Sequence, residues 1–281
     1  MTGKRYLSSA MALALLAGSA LPAAAADICQ GFGPQSPRDI SSLSGLNTHA
    51  AGAAPPAETM NLCNINVVTS AEHRGPGFSI AAGKGDRPGF KCNGFDQLTP
   101  AELKDPEAGH GSFQGVKPGD TIEVHWVYTS CAVKPGRGLG ACWNATCSNP
   151  TLRVESQVFL LVNDPKATNF LDYVYQGHMA RGLAQPRALP SGTGKPVVYA
   201  GSMTGPQYSE AICSPLQATW SVRPQCEKLD IESLDKWARY GNVFQEDRAH
   251  GVRALVKSPA LLSEIPKDVA EMRWDLPLPV N

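Results

Sequence analysis

The sequence lacks a long apolar segment, a net charge and an internal repeat. Beyond residue 26, no stretch approaches the roughly 18 uninterrupted apolar residues of a transmembrane helix, so no membrane span is expected there. The 25 Lys and Arg residues balance the 25 Asp and Glu residues, which is not the basic composition of a nucleic-acid-binding protein. No segment recurs at a fixed period, which argues against solenoids and propellers.

The N-terminus predicts an exported protein. Lys4 and Arg5 precede an apolar run over residues 6–21, and three alanines end at residue 26 as in a signal-peptide cleavage site. We expect residues 1–26 to be a signal peptide and the mature chain to be periplasmic or secreted; a retained signal anchor is the alternative. Cleavage removes two basic residues and leaves 23 against 25 acidic residues, a formal charge of −2.

Cysteines are even in number and confined to the mature part. An even number in an oxidising compartment favours disulfides, and no Cys-x-x-Cys pair is present to start a zinc knuckle. Spacing does not give the connectivity, because eight cysteines allow about 105 pairings. The candidates are Cys29, Cys63, Cys92, Cys131, Cys142, Cys147, Cys213 and Cys226.

Composition divides the mature chain in two. Residues 27–60 are rich in Gly, Ala, Pro and Ser and are predicted to be a loosely structured, flexible arm, whereas residues 61–281 are predicted to form one domain. A capping box at Thr99 and Glu102 predicts the start of a short helix. Strands are expected over residues 152–162, 197–199 and 217–222, and helices over residues 230–240 and 258–265.

Many short strands with few helices predict a mainly β (α+β) fold: a single domain with a twisted, largely antiparallel central sheet and a few short peripheral helices. Within it, residues 121–128 form a strand in which Glu123 and His125 share a face, because side chains alternate along a strand. A second strand, residues 64–69, leads directly to Glu72 and His73. Taken alone, these residues also suit buried hydrogen-bonded pairs without catalytic function.

These segments resemble the delta class of carbonic anhydrases, over residues 63–265. Three short segments of the chain are also similar to the alpha class of carbonic anhydrases. Residues 70–73 resemble the Ser-Glu-His element that follows the two paired zinc-binding histidines. Residues 123–126 resemble the strand that carries the third zinc-binding histidine. Residues 199–206, with residues 219–222 downstream, resemble the segment that orients the zinc-bound water and walls the carbon dioxide pocket.

The resemblance implies a zinc enzyme that reversibly hydrates carbon dioxide to bicarbonate. It implies His125 as one zinc ligand and places the other two ligand positions at Asn66 and Val68. Neither is histidine: valine has no lone pair, and an asparagine amide is a poor zinc ligand. The other four histidines, in segments that look like loops, are expected to be solvated; they are His49, His110, His178 and His250.

The resemblance also implies the residues around the metal. Thr204 would accept a hydrogen bond from the zinc-bound water and donate its own hydrogen to Glu72, while Glu123 and His73 would support the ligands. Val127, Met203 and Trp220 would line the substrate pocket. Two functions stay open. One is a carbonic anhydrase, including a form whose ligands are rearranged to include His73 or others. The other is a non-catalytic relative that binds a partner or serves a structural role.

Overall fold

The computed structural model describes residues 29, 31–49, 52–85, 87–203, 208 and 210–266. The predicted signal peptide therefore lies outside the described residues. None of the helices in these ranges is long and apolar enough to cross a membrane.

A six-stranded sheet forms the centre of the domain. Its strands are β1 (Asn61–Thr69), β4 (Thr121–Thr129), β5 (Leu152–Val162), β8 (Val197–Ser202), β9 (Gln217–Val222) and β10 (Glu227–Asp230). They lie in the order β1-β4-β5-β9-β8, with β10 also pairing with β5. Antiparallel pairing joins β1 to β4, β4 to β5, and β8 to β9, whereas β5 runs parallel to β9 and to β10. The sheet is therefore mixed.

Hydrophobic cores cover both faces of this sheet. On one face, Val124 and Trp126 of β4 pack with Trp237 and other buried apolar residues. On the other, Val127 packs with Trp220 of β9. Because every residue of β4 is buried, the polar residues of this strand must find partners inside the protein. That requirement positions the candidate site.

The remaining elements are short. One α-helix is present in the described part of the chain, α1 (Ile231–Arg239), where the sequence predicts a helix over residues 230–240. The expected helix over residues 258–265 is reduced to a 3-10 turn, Pro259–Leu261. The other elements are the hairpin strands β2 (Ile80–Ala81), β3 (Phe90–Lys91), β6 (Met179–Ala180) and β7 (Leu183–Ala184), and the 3-10 segments Ala57–Thr59, Phe95–Gln97, Leu139–Cys142 and Phe170–Tyr173.

The N-terminal segment differs from the expectation of a loose arm. Gln35, Ser36, Arg38 and Ile40 are buried against the domain. The Arg38 guanidinium donates hydrogen bonds to the backbone carbonyls of nearby residues and of Ser263, a partner far along the chain. Its glycines and prolines indicate irregular backbone, and apart from the 3-10 segment Ala57–Thr59 the described residues of this segment form no helix or strand. Glycine and proline do not predict exposure, because irregular backbone is buried readily when its polar groups are satisfied.

All eight cysteines pair, which supports the prediction of disulfides. The bonds join Cys29 to Cys213, Cys63 to Cys142, Cys92 to Cys226, and Cys131 to Cys147. Two of them tie sequence-distant segments together, across separations of 184 and 134 residues. Four disulfides are consistent with an exported protein.

The disulfides make a testable contrast in stability. Replacing Cys92 and Cys226 by alanine should destabilise the protein more than replacing Cys131 and Cys147, because the first bond spans 134 residues and the second 16. The loop-entropy relation predicts a difference of about 2 kcal/mol in the free energy of unfolding. Urea denaturation of both double variants measures it, and equal losses would show that strain or packing outweighs loop closure.

Candidate functional site

The candidate site lies where β1 and β4 face a cavity of about 280 Å³. The strand register places Asn66 opposite His125 and Val68 opposite Glu123. Asn66, Val68 and His125 all line the cavity. The structure thus brings together the three positions that the sequence assigns to metal ligands, with Glu123 below them in the fully buried layer.

The Glu123 carboxylate is the centre of a buried hydrogen-bond network. Its Oε2 accepts the backbone N–H groups of Glu72 at 2.8 Å and His73 at 3.2 Å. Its Oε1 lies 2.7 Å from His73 Nδ1 and 3.1 Å from His125 Nε2, and it accepts the Ser156 hydroxyl at 2.5 Å. Because an ionised carboxylate only accepts hydrogen bonds, these two ring nitrogens carry hydrogens.

His73 continues the network to a tyrosine. Its Nε2 lies 2.6 Å from the Tyr199 hydroxyl, and neither side chain is accessible enough for water to compete. In the tautomer with its hydrogen on Nδ1, His73 accepts the hydroxyl hydrogen of Tyr199 at Nε2. Burial raises the pKa of Tyr199 far above its ordinary value, so this hydroxyl stays protonated and can donate. Both nitrogens of His73 are therefore occupied.

Glu72 is paired with an arginine that no motif in the sequence identified. Arg253 Nη2 lies 2.6 Å from Glu72 Oε1, and its Nε lies 3.1 Å from Glu72 Oε2, a bidentate contact with both groups buried. Its Nη1 donates to the backbone carbonyls of Ser36 and Ser202. The guanidinium also lies over the Trp220 ring, 5.4 Å from the centroid. Glu72 and Arg253 form one wall of the cavity.

The two buried carboxylates are held ionised. Burial raises the pKa of Glu72, but the adjacent charge of Arg253 opposes it and the net pKa lies below its ordinary value. Burial also raises the pKa of Glu123, yet its contacts with His73 and His125 outweigh this effect and hold the pKa well below 4.5. Each carboxylate is therefore matched to donors that are already in place.

Comparison with known proteins identifies the family. A family model described as delta carbonic anhydrase matches residues 57–233. The chain belongs to the delta carbonic anhydrase family. No curated protein matches the sequence.

Solved structures similar to this family member include other carbonic anhydrases. An alpha-carbonic anhydrase from Thermovibrio ammonificans, in complex with sulfanilamide, is 16% identical, with 79% of this chain and 87% of that chain covered and a TM-score of 0.28. The alpha-carbonic anhydrase of Photobacterium profundum is 16% identical, with coverage of 79% and 86% and a TM-score of 0.28. Carbonic anhydrase Cah3 from Chlamydomonas reinhardtii, in complex with acetazolamide, is 15% identical, with coverage of 90% and 98% and a TM-score of 0.29.

The side chains that could hold a metal in this member of the delta carbonic anhydrase family mostly have protein partners already. Glu72, His73 and His125 each offer a ligand atom within 4.8 Å of the others. However, Arg253 takes both oxygens of Glu72, and Glu123 and Tyr199 take both nitrogens of His73. His125 Nδ1 alone has no partner among the described residues, whereas zinc in an open site needs three protein ligands. A guanidinium in contact with Glu72 would also repel a dication.

Not all of the other residues predicted for the site line the cavity. Met203 and Trp220 line the cavity, but Val127 is buried in the core beside it and does not. Thr204, the predicted partner of Glu72, lies outside the described residues. Among the described residues, Arg253 contacts both oxygens of Glu72.

Sequence reasoning missed two cavity residues in the segment after α1. His250, expected to be solvated, lines the cavity with a half-exposed side chain, and its Nε2 lies 3.1 Å from a carboxylate oxygen of Glu246. Arg253 lies 181 residues from Glu72. No local pattern marks either residue, since both belong to a segment without regular structure. The one signal in the sequence was that a basic residue, Arg253, lies three positions after His250.

Breaking the Glu72–Arg253 ion pair should destabilise the folded protein. We expect Arg253→Met to lower the free energy of unfolding by about 3–5 kcal/mol, because it leaves a buried carboxylate without its cation. Adding Glu72→Gln should recover part of that loss. The matched control is Arg74→Met, which breaks a more exposed pair with Asp39 and should cost about 1 kcal/mol or less. Similar urea midpoints for the two single arginine variants would contradict the assigned role of Arg253.

Glu123 should make the free energy of unfolding depend on pH in the acid range. A carboxyl group whose folded-state pKa is depressed contributes stability above its unfolded pKa of about 4.5, and this contribution is lost as the pH falls through the folded value. We therefore expect Glu123→Gln to be less stable than the wild type at neutral pH and to lose less stability between about pH 5 and pH 3. Urea midpoints measured across this range test it; parallel curves would exclude Glu123 as a source of the acid dependence.

Proposed function

We propose that this chain is an exported relative of the delta carbonic anhydrases that does not hydrate carbon dioxide and uses the inherited cavity for binding. The observation that carries the proposal is the pairing of β1 with β4. Asn66 and Val68 stand beside His125 and Glu123, where a zinc site needs nitrogen ligands. A single free imidazole nitrogen does not hold zinc with an open position for water.

The charges around the cavity support the same proposal. Glu72 is satisfied by Arg253, and Glu123 by His73, His125 and Ser156, so no ionised oxygen is left to complete a zinc site. Breaking either set to admit a metal would leave a buried charge unpaired, which costs several kcal/mol. The network is therefore stable as a metal-free arrangement.

A second candidate is a zinc enzyme with a rearranged ligand set. The close approach of Glu72, His73 and His125, within 4.8 Å, favours it. It requires Glu72 to leave Arg253 and His73 to leave Tyr199, two changes that both disrupt buried contacts. We rank it second for that reason. Zinc content separates the two candidates directly.

The proposal predicts an inactive wild type and a zinc site that can be restored. Purified wild-type protein dialysed against zinc should retain no stoichiometric metal and should hydrate carbon dioxide no faster than buffer. Asn66→His together with Val68→His should bind zinc, because His125 then completes three nitrogen ligands and Glu123 already supports it. Zinc lowers the pKa of its bound water to about 7, so measurable hydration should accompany binding.

Each single substitution is the matched control for the double variant. Asn66→His or Val68→His alone supplies only two nitrogens with His125 and should bind zinc more than about 100-fold more weakly than the double variant. Metal analysis and stopped-flow assays of the four proteins decide the matter. Zinc-dependent turnover by the unmodified chain would overturn the proposal and establish the second candidate.

A further inference from the structure

The cavity that a metal site would occupy contains unsatisfied polar atoms between apolar walls. Val68, Leu139, Met203 and Trp220 supply apolar surface, and the cavity volume of about 280 Å³ suits a small organic molecule. In the described part of the chain, Asn66 Oδ1 is buried without a hydrogen-bond partner. Buried polar groups are paired in most native proteins, so an orphaned oxygen in a cavity-lining side chain indicates a missing partner.

Two hydrogen-bond acceptors lie next to each other on this wall. Asn66 and His125 are cross-strand neighbours, and both line the cavity. His125 directs Nε2 at Glu123, so the tautomer with its hydrogen on Nε2 has a free lone pair on Nδ1. Within the described part of the chain, neither Asn66 Oδ1 nor His125 Nδ1 receives a hydrogen bond. A ligand that donates hydrogen bonds would satisfy both.

The charged groups of the cavity disfavour ions. Arg253 is the cation that an anionic ligand would seek, but its Nε and Nη2 are directed at Glu72 and its Nη1 at two backbone carbonyls. A cationic ligand would seek Glu72, whose two oxygens already accept from Arg253. His250 also lines the cavity, but its Nε2 is paired with Glu246. An ion entering the cavity would lose its hydration and find these charged groups already paired.

We propose that this cavity binds a small neutral molecule that donates hydrogen bonds, such as a primary amide, to Asn66 and His125. Its apolar body packs against Met203 and the Trp220 ring. The proposal rests on the proposed function, because a zinc ion on His125 would occupy the same nitrogen. The ligand class follows from the two acceptors, the paired charges and the apolar walls.

Three probes of nearly the same shape test the chemistry: benzamide, benzoate and benzylammonium. Isothermal titration calorimetry with the wild-type protein should show binding of benzamide, and benzoate and benzylammonium should bind at least about ten-fold more weakly, since one buried hydrogen bond to a matched partner is of this order. Equal or tighter binding of either ion would overturn the proposal, as would no binding of benzamide.

Asn66→Leu tests the location of the site. It keeps the branched shape of the side chain and removes the amide, so benzamide should bind about ten-fold more weakly. Gln217→Leu is the matched control: its amide is also buried without partners among the described residues, but it lines a different cavity, so binding should be unchanged. Equal benzamide affinity in both variants would place the site elsewhere. Circular dichroism of each variant establishes that it is folded.

Metal analysis of the same samples separates the two proposals. A zinc-free protein that does not bind benzamide contradicts only the ligand proposal. A protein that retains stoichiometric zinc contradicts the proposed function itself.

Discussion

The buried carboxylate of Glu123 is the constraint on which the site depends. A charge at zero exposure is tolerated only if its oxygens are matched, and this one takes donors from three separate parts of the chain. They are the turn after β1, the neighbouring His125 on β4, and Ser156 on β5. Satisfying Glu123 fixes the turn that carries Glu72 and His73 against β4. The geometry of the cavity wall follows from that.

A guanidinium and a metal ion are two ways of compensating buried carboxylates. Arg253 supplies a positive charge in a fixed planar fork that matches both oxygens of Glu72. Unlike a metal ion, it has no open coordination position at which water could be activated. Under the proposed function, the arrangement keeps the charge balance that a metal ion would otherwise supply, beside an amide at position 66 and an aliphatic side chain at position 68.

Local periodicity predicted the part of the site that lies on strands. Alternation put Glu123 and His125 on one face, and the β-rich segments at residues 152–162 and 217–222 form strands with those bounds. The capping box at Thr99 and Glu102 does form its reciprocal hydrogen bonds, yet only turns follow it. A cap stabilises the first turn of a helix and cannot extend it without an amphipathic continuation.

The parts of the site that the sequence could not predict depend on contacts between residues far apart in the chain. Arg253 and Ser36 reach the site from irregular segments, and their relation to Glu72 follows from how the whole chain packs. Composition misled in the same way for residues 27–60, because glycine and proline report the lack of regular structure and say nothing about burial. The family resemblance located the ligand positions, but the register of β1 against β4 was needed to show what stands beside them.

The bridge from Arg253 to the Ser36 carbonyl has a consequence for how the protein acquires its structure. It joins residues 217 positions apart, so the cavity cannot close until nearly the whole chain is present. A chain made from its N-terminus must hold the early segment unpaired until the late one arrives, and such long-range closure slows folding. During that interval Arg38 lacks the carbonyl of Ser263 and Ser36 lacks Arg253, so the nascent protein is most exposed to aggregation before its last segment emerges.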